Sequence, residues 1–224
     1  MAETLPLFPL GAVLLPGASL PLHIFEPRYR QLTVDLVTGT VPDRSFGVIA
    51  TKHGSTEDVE AVHDVGCTAL LREARQLPDG RYDIVTRGEK RYRLLDIDET
   101  ATSPYLVGRI EWMPDEESGV QQRRLLPVLA EAARDAHRQY CAAAWPDGDW
   151  HEPDAALEVA ELPHLLASDC VLTLEDRQAL LEERSPAHRL RLVRSLLVRE
   201  AEFVRSLRAV PVPLSQFGVE TTRN

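Results

Sequence analysis

The opening segment constrains the fold more than any other part of this chain. From Thr4 to Ile24 there is no Asp, Glu, Lys or Arg, yet proline or glycine interrupts the stretch every few residues (TLPLFPLGAVLLPGASLPLHI). A membrane helix needs roughly 20 consecutive apolar residues, and prolines inside a helix break it. Short apolar runs between such breaks are typical of buried strands joined by tight bends. The opening is therefore predicted to be a β layer of a folded core.

The same segment does not have the pattern of a secretory signal. Such a signal needs a basic stretch before its apolar run, whereas Glu3 is the only charged residue before this run and the first arginine is Arg28. The three cysteines, Cys67, Cys141 and Cys170, are scattered and odd in number, which fits reduced and buried thiols. These features predict a cytoplasmic protein that does not enter the membrane.

Size and charge narrow the classes of partner. With 224 residues, of which 44% are hydrophobic, the chain can form one large domain or two modest ones. Its formal net charge of −10 disfavours nucleic acid and anionic membranes as partners. A local basic patch could still bind either of them, so both remain open at this point.

The first half of the chain has strand patterns and one helix pattern. Pro27 fits the first position of a helix, and the spacing of apolar residues predicts a helix over Pro27–Thr38. A meander follows, with a hairpin turn at Pro78-Asp79-Gly80. Gly88 is predicted to end one of its strands, and a change in apolar parity predicts a bulge near Leu94.

The second half has helical periodicity from about Asp115 onward. An apolar stripe predicts one long helix, in which Pro127 marks a kink or a start, and a second helix is predicted over Ala155–Leu166. Thr173 with an acidic residue three positions later, and Ser185 before a proline, predict two further helix starts. The members of the stripe are Leu125, Leu129, Ala132, Ala136 and Tyr140.

These patterns predict an α+β fold with two subdomains. Residues 1–115 are expected to form a mostly antiparallel, closed or half-closed β structure with one inserted helix. Residues 116–210 are expected to form a helical bundle, and 211–224 a C-terminal tail.

The sequence contains none of the common catalytic motifs. There is no G-x-x-x-x-G-K-[ST] phosphate loop, no G-x-S-x-G elbow and no H-E-x-x-H zinc motif. A Ser–Lys pair would have to use Lys52 or Lys90, the only two lysines, and both have polar neighbours in sequence. The chain is therefore predicted to be non-enzymatic and to need no cofactor.

One acidic loop offers a possible metal site. Asp149, His151, Glu152 and Asp154 could bind a metal through nitrogen and oxygen. The prolines and the glycine around them are equally typical of a solvated loop between helices. We predict the solvated loop and no metal.

Several segments in order resemble a known family. They are LPLFPLGAVLLPGASLPLHIFEPRYRQL, FGVIA, VGCTALLREARQLPDGRYDIVTRGEKRYRLLDID, PYLVGRIEWM and the helical segment LASDCVLTLEDRQALLEERSPAHRLRLVRSLLVRE. Together they resemble the N-terminal, substrate-recognising domain of ATP-dependent Lon protease and its stand-alone bacterial relatives. The resemblance covers roughly Thr4–Arg208. It implies a PUA-like pseudo-barrel followed by a helical bundle.

The resemblance implies recognition rather than catalysis. The ATPase module and the Ser–Lys protease domain of full-length Lon have no counterpart in this sequence. The cysteine pairs that form the zinc-bound ligand domain of cereblon, a eukaryotic relative, also have no counterpart. The expected function is a non-catalytic module that recognises exposed polypeptide segments or a partner protein.

An RNA- or nucleotide-associated PUA-like module is the alternative function. It rests on the general fold, and the best local evidence for it is four arginines of the meander. The acidic net charge opposes this alternative. The arginines are Arg81, Arg87, Arg91 and Arg93.

Four aromatic residues are the candidate contacts for a polypeptide. Phe25 and Tyr29 flank the start of the predicted helix, and Tyr105 and Trp112 lie at the last strand of the β half. A peptide groove is expected where barrel and helices meet, because ligand clefts favour such junctions. The ordinary alternative for each of the four is a role as a core residue, and their exposure distinguishes the two roles.

Overall fold

The computed structural model describes residues 3–52, 62–146, 148 and 150–207. The chain divides into two compact units, Met1–Pro114 and Asp115–Asn224. The described part of the first unit contains one α-helix, a short 3-10 helix and six strands, and that of the second contains four α-helices, so the fold is α+β. The strands are β1 (Glu3–Leu10), β2 (Ser19–Ile24), β3 (Ser45–Ala50), β4 (Val65–Gln76), β5 (Tyr82–Ile97) and β6 (Val107–Trp112). The helices are α1 (Pro27–Thr38), α2 (Val120–Ala144), α3 (Leu162–Ser168), α4 (Leu174–Glu182) and α5 (Pro186–Leu207).

The opening segment forms strands, as predicted. β1 and β2 occupy most of it, and α1 begins at Pro27 as the sequence indicates. Gly39 ends α1 with φ of 83°, a left-handed conformation that glycine adopts without a steric penalty. The local signals of this segment therefore determine its secondary structure.

The six strands form one mixed sheet that closes on itself. Their order is β2-β5-β4-β3-β1-β6, and β5 also pairs with β6. The pairing of β1 with β3 is parallel and every other pairing of strands is antiparallel. Strands β5, β4, β3, β1 and β6 thus form a closed ring, and β2 is added outside it. This is possible because β5 is long: its first part pairs with β2 and its second part with β6.

Tyr92 is at the centre of the ring's core. Its ring is fully buried, and its hydroxyl donates a hydrogen bond to the carbonyl oxygen of Val48 at 3.2 Å. Two glycines make room for it, since a Cβ added to Gly47 or Gly66 would lie 2.5 or 2.4 Å from the Tyr92 hydroxyl oxygen. The core therefore depends on glycines at these two positions for close packing.

Gly88 does not end a strand, contrary to the sequence-based prediction. β5 continues through it, and the backbone of Gly88 lies against that of Leu15: an added Cβ would be 2.2 Å from the Leu15 carbonyl oxygen. Glycine is required here by close approach of two backbones, not by a turn. The predicted hairpin turn at 78–80 and the bulge near Leu94 are both confirmed, the latter by a register shift between Leu94 and Asp96.

The long helix α2 is buried along only part of its predicted stripe. Ala136 and Tyr140 are buried, but Leu125 is exposed and Leu129 is half-exposed. The helix begins at Val120 and continues through Pro127, so Pro127 is not its start. The prediction of one continuous buried stripe is wrong for the first half of the helix.

The helix predicted over Ala155–Leu166 is much shorter in the structure. Only α3 (Leu162–Ser168) forms, and arginine side chains bind backbone carbonyl groups of the irregular segment before it. Arg134 donates to the carbonyl oxygens of Pro153 and Asp154 at 2.6 and 2.7 Å. Arg189 donates to that of Ala160 at 2.9 Å. These bonds stabilise an irregular segment before α3.

The two predicted starts of the later helices are confirmed. The Thr173 hydroxyl accepts a hydrogen bond from the backbone N–H of Asp176 at 3.1 Å, which caps α4. α5 begins at Pro186, directly after Ser185. Arg177 of α4 donates to the carbonyl oxygens of Ser168 and Cys170, so the end of α3 is held by a side chain from the next helix.

Candidate functional site

Of the four predicted contact residues, Tyr29 is the most deeply packed. It is only 4% exposed, and its ring stacks on Phe8 with centroids 4.0 Å apart. Arg28 lies over the same ring, with its guanidinium carbon 4.7 Å from the centroid. Burial raises the pKa of Tyr29. This environment indicates that Tyr29 is a core residue and not a ligand contact, the two roles between which its sequence context did not decide.

Tyr105 is also buried but borders a cleft. It is 7% exposed, and its hydroxyl donates a hydrogen bond to Asp35 at 2.9 Å, which links the segment before β6 to α1. Burial, and then the bond to Asp35, raise its pKa. The cleft beside it has a volume of about 590 Å³ and is also lined by Arg28, Asp98 and Pro104.

The other two aromatic residues are accessible. Phe25, two residues before α1, is 61% exposed. Trp112, at the end of β6, is half-buried and packs against the core cluster that contains Tyr92 and Ile110. The ammonium nitrogen of Lys90 lies 5.5 Å from the centre of the Trp112 ring. Phe25 and Trp112 can therefore contact a ligand without rearrangement of the core.

Trp112 lines a concave opening at one end of the ring, which we call the mouth. Its volume is about 480 Å³, and all five strands of the ring contribute to it, together with the segment that precedes β3. Buried side chains such as Leu5, Val41 and Ile110 form its floor. The mouths of β-barrels are among the places where ligand sites occur most often.

A bulge places two charged residues at the mouth. Thr68 of β4 faces both Glu89 and Lys90 of β5, because the register shifts between Cys67 and Ala69. The Thr68 hydroxyl accepts a hydrogen bond from the backbone N–H of Lys90 at 2.9 Å and donates one to its carbonyl oxygen at 3.3 Å. A threonine hydroxyl thus replaces the ladder hydrogen bonds at this point.

The rim of the mouth is acidic. Glu3, Asp43 and Glu89 are exposed there, and none of them forms an ion pair with another residue that the structure describes. Asp43 and the following Arg44 have φ of 56° and 52°. A left-handed conformation in a residue other than glycine costs on the order of 1–3 kcal/mol. The neighbouring packing must therefore hold this turn in place.

The structure also describes most residues of the acidic loop that was considered as a metal site. Glu152 accepts a hydrogen bond from Arg138 at 2.7 Å, His151 is exposed, and Asp149 lies outside the described residues. Within 3–52, 62–146, 148 and 150–207, no group of three or more His, Cys, Asp or Glu side chains could hold a metal ion.

None of the helices in those ranges is both long and apolar enough to cross a membrane.

Sequence reasoning missed the residues that complete the mouth. Glu3 and Asp43 are far apart in the sequence and belong to no motif, and Val41 follows a helix end. Their common position depends on the closure of the sheet, which no local pattern indicates. The half-buried state of Trp112 follows from its place at the end of β6, where the strand reaches the mouth of the ring.

Comparison with known proteins assigns the chain to a family. The ATP-dependent protease La (LON) substrate-binding domain family matches residues 4–199. The chain therefore belongs to the family of Lon substrate-binding domains, as its sequence features indicate. The match concerns this domain alone and includes neither the ATPase nor the protease part of Lon.

Full-length Lon proteases are among its relatives. The chain is 28% identical to Lon protease 2 of Myxococcus xanthus over 216 residues, which is 91% of this chain and 24% of that protein. It is 29% identical to the Lon protease of Anaeromyxobacter dehalogenans over 214 residues, or 90% of this chain and 24% of that one. The chain thus spans about a quarter of the length of these relatives.

Two solved structures resemble the fold. A Lon N-terminal domain protein from Xanthomonas campestris superposes with a TM-score of 0.57 at 26% identity and covers 86% of this chain and 98% of that one. The N-terminal domain of the Mycobacterium avium complex Lon protease gives a TM-score of 0.61 at 15% identity, with 87% and 98% covered. At 15% identity the second likeness concerns the fold alone.

Proposed function

We propose that this chain is a non-catalytic module that recognises exposed polypeptide segments or a partner protein. The observation that carries the proposal is its membership, over residues 4–199, in the family of Lon substrate-binding domains. The sequence contains no phosphate loop, serine elbow or zinc motif that could support chemistry. Binding without catalysis is therefore the function that we propose.

Accessible aromatic side chains support this function. Large aromatic residues contribute most of the binding energy at many interfaces, and Phe25 and Trp112 are the two predicted contacts that a ligand could reach directly. Tyr105 borders a cleft and could line a site. Tyr29, buried against Phe8, would act by holding α1 in place. We therefore propose Phe25 and Trp112 as the primary contacts.

We also infer that the closed ring is of the PUA-like type and that the second unit is a helical bundle. The inferred subdomains are 1–115 and 116–210, with 211–224 as a tail that lies outside the described residues. We infer a cytoplasmic location from the thiols, which are all buried and not in disulfides.

The RNA-binding alternative has less support from the arginines of the meander. Arg91 is only 6% exposed, and Arg81 is paired with Asp79 at 2.6 Å. Arg87 and Arg93 are exposed and form no ion pair with a described residue. Two free arginines on a chain with a net charge of −10 give little attraction for phosphate.

Binding to an unfolded polypeptide tests the proposal directly. The full chain is titrated against fluorescently labelled α-lactalbumin that has been reduced and carbamidomethylated, a modification that adds no charge, with native α-lactalbumin as the control. We expect saturable binding to the unfolded form at micromolar concentrations and none to the native form. Absence of binding to the unfolded form would overturn the proposal.

The alternative function is tested with a labelled single-stranded RNA. Affinity for RNA should fall steeply with salt if phosphates are neutralised. Salt-dependent binding to RNA, together with no binding to unfolded polypeptide, would favour the RNA-associated function. ATP hydrolysis and peptide cleavage, measured on the same preparation, are expected to be absent.

A further inference from the structure

We propose that the mouth of the ring binds an apolar or aromatic side chain of an extended polypeptide segment that has a lysine or arginine beside it. The inference rests on the polypeptide recognition proposed above. It adds to that function a position on the molecule and a sequence preference.

The shape of the mouth fits an apolar side chain. Its volume of about 480 Å³ is in the range of ligand sites, roughly 300–1,000 Å³. The floor consists of the buried side chains Leu5, Val41 and Ile110, which can pack against an inserted apolar group. The cleft beside Tyr105 is larger, but none of the strands β1 to β4 contributes to its wall.

Trp112 gives the mouth an anchor. Its indole ring is half-buried, so one part is fixed by the core while another faces the cavity. The ammonium nitrogen of Lys90 lies over the ring, 5.5 Å from its centre. Tryptophan, with tyrosine and arginine, is enriched among residues that dominate binding energy. A ring that the core already holds loses little entropy when a ligand covers it.

The charges of the rim determine which residues are favoured next to the inserted apolar side chain of the bound polypeptide. Three exposed carboxylates, those of Glu3, Asp43 and Glu89, surround the opening, and Lys90 is the one cation among the lining residues. Lysine or arginine beside the inserted group would be attracted, and aspartate or glutamate would be repelled. The occupant is therefore a basic apolar segment, not an acidic one.

The β4–β5 bulge is a second, independent feature of this end of the ring. It turns Glu89 and Lys90 toward the opening opposite the single residue Thr68. Bulges are common at the rims of barrels and beside functional sites, where they redirect side chains. A regular ladder would have placed only one of these two residues at the mouth.

Three labelled peptides and three variants of the full chain test the proposal. The peptides share a Gly/Ser frame and have Lys-Phe-Lys, Glu-Phe-Glu or Lys-Ala-Lys at the centre. The variants are Trp112→Ala, Glu89→Lys and Glu73→Lys. Glu73 is exposed on β4 and does not line the mouth, so it is the matched control for the charge reversal. Fluorescence anisotropy gives the affinities, and circular dichroism checks that each variant is folded.

The expected result is a preference for Lys-Phe-Lys of about tenfold over each of the other two peptides. Glu89→Lys should remove most of the preference for Lys-Phe-Lys over Glu-Phe-Glu. Trp112→Ala should remove most of the preference for Lys-Phe-Lys over Lys-Ala-Lys. Glu73→Lys should change neither preference. Because Trp112 also packs against the core, Glu89→Lys remains decisive if Trp112→Ala does not fold.

The outcomes separate this inference from the function on which it rests. If unfolded α-lactalbumin binds but the peptides show no preference, or if Glu89→Lys behaves like Glu73→Lys, the assignment of the mouth is overturned and polypeptide recognition stands. If unfolded α-lactalbumin does not bind at all, the proposed function and this inference are both overturned.

Discussion

Arg189 and Asp115 form a bidentate ion pair inside the second unit. The two terminal nitrogens of Arg189 donate to the two carboxylate oxygens of Asp115 at 2.8 and 2.7 Å, and the arginine side chain is only 1% exposed. Arg189 also donates to the carbonyl oxygens of Glu183 and Ala160. One side chain of α5 thus binds the side chain of Asp115 and the backbone at two other places, Ala160 and Glu183.

Removing this arginine should destabilise the chain strongly. Arg189→Met is expected to lower the free energy of unfolding by about 3–5 kcal/mol, because it removes a buried cation that donates to Asp115 and to two backbone carbonyl groups. Arg191→Met, on the exposed side of the same helix, should change it by less than about 0.5 kcal/mol. Urea unfolding followed by circular dichroism measures both, and equal effects would show that the pair has no special role.

The packing of Tyr92 against two glycines gives a second prediction. Gly66→Ala is expected to lower the free energy of unfolding by about 1–3 kcal/mol or more, since the new Cβ would overlap the Tyr92 ring and the Val48 carbonyl oxygen. Gly11→Ala is the matched control, because nothing lies within 4 Å of the position of its Cβ. Thermal unfolding of the two variants checks this, and a Gly66→Ala protein as stable as the control would contradict it.

A third prediction concerns pH. His137 is buried, with a ring nitrogen 3.4 Å from the sulfur of Cys141, and burial lowers its pKa below the ordinary 6.5. The unfolded chain then binds the proton more readily than the folded chain. The stability that neutral His137 provides is fully present above about pH 6.5 and is lost as the pH falls from there through the lowered pKa of the folded chain.

Denaturant unfolding at about pH 8 and pH 5.5 measures this dependence. The loss of stability between the two should be smaller in His137→Gln, which does not titrate, than in the unmodified chain. His188→Gln, at an exposed position of α5, should retain the full loss. If His137→Gln shows the same loss as the unmodified chain, the burial of His137 does not control this dependence.

The thiols give a fourth prediction. All three cysteines are buried, and burial raises the pKa of Cys67 and of Cys141 to about 12 and that of Cys170 above its ordinary value. The thiolate is the reactive form of cysteine. A disulfide reagent at about pH 8 should therefore label all three cysteines slowly in the folded chain and rapidly in the unfolded chain. Fast labelling of any one thiol in the folded chain would be inconsistent with this.

The fifth prediction separates two of the aromatic residues. Tyr29→Ala should lower the free energy of unfolding by about 3–5 kcal/mol, as expected for a large buried aromatic. Phe25→Ala should change stability by less than about 0.5 kcal/mol but weaken binding to unfolded polypeptide if Phe25 is a contact. Unchanged binding in a folded Phe25→Ala protein would remove Phe25 from the site.

Local sequence determined which segments become strands and helices. Proline and glycine between short apolar runs fixed β1 and β2, Pro27 fixed the start of α1, and the caps at Thr173 and Ser185 fixed the starts of α4 and α5. These signals act within a few residues of backbone, so they can be recognised without the rest of the chain.

Only the tertiary structure decided which side chains are exposed and which segments remain irregular. Phe25 and Tyr29 are four residues apart and similar in chemistry, but one is accessible and the other is stacked on Phe8. The predicted helix before α3 is replaced by backbone bonded to Arg134 and Arg189, which come from distant helices. In both cases the deciding contact is with a residue far away in the sequence. Burial and hydrogen-bond competition depend on which surfaces meet, and only the folding of each unit brings those surfaces together.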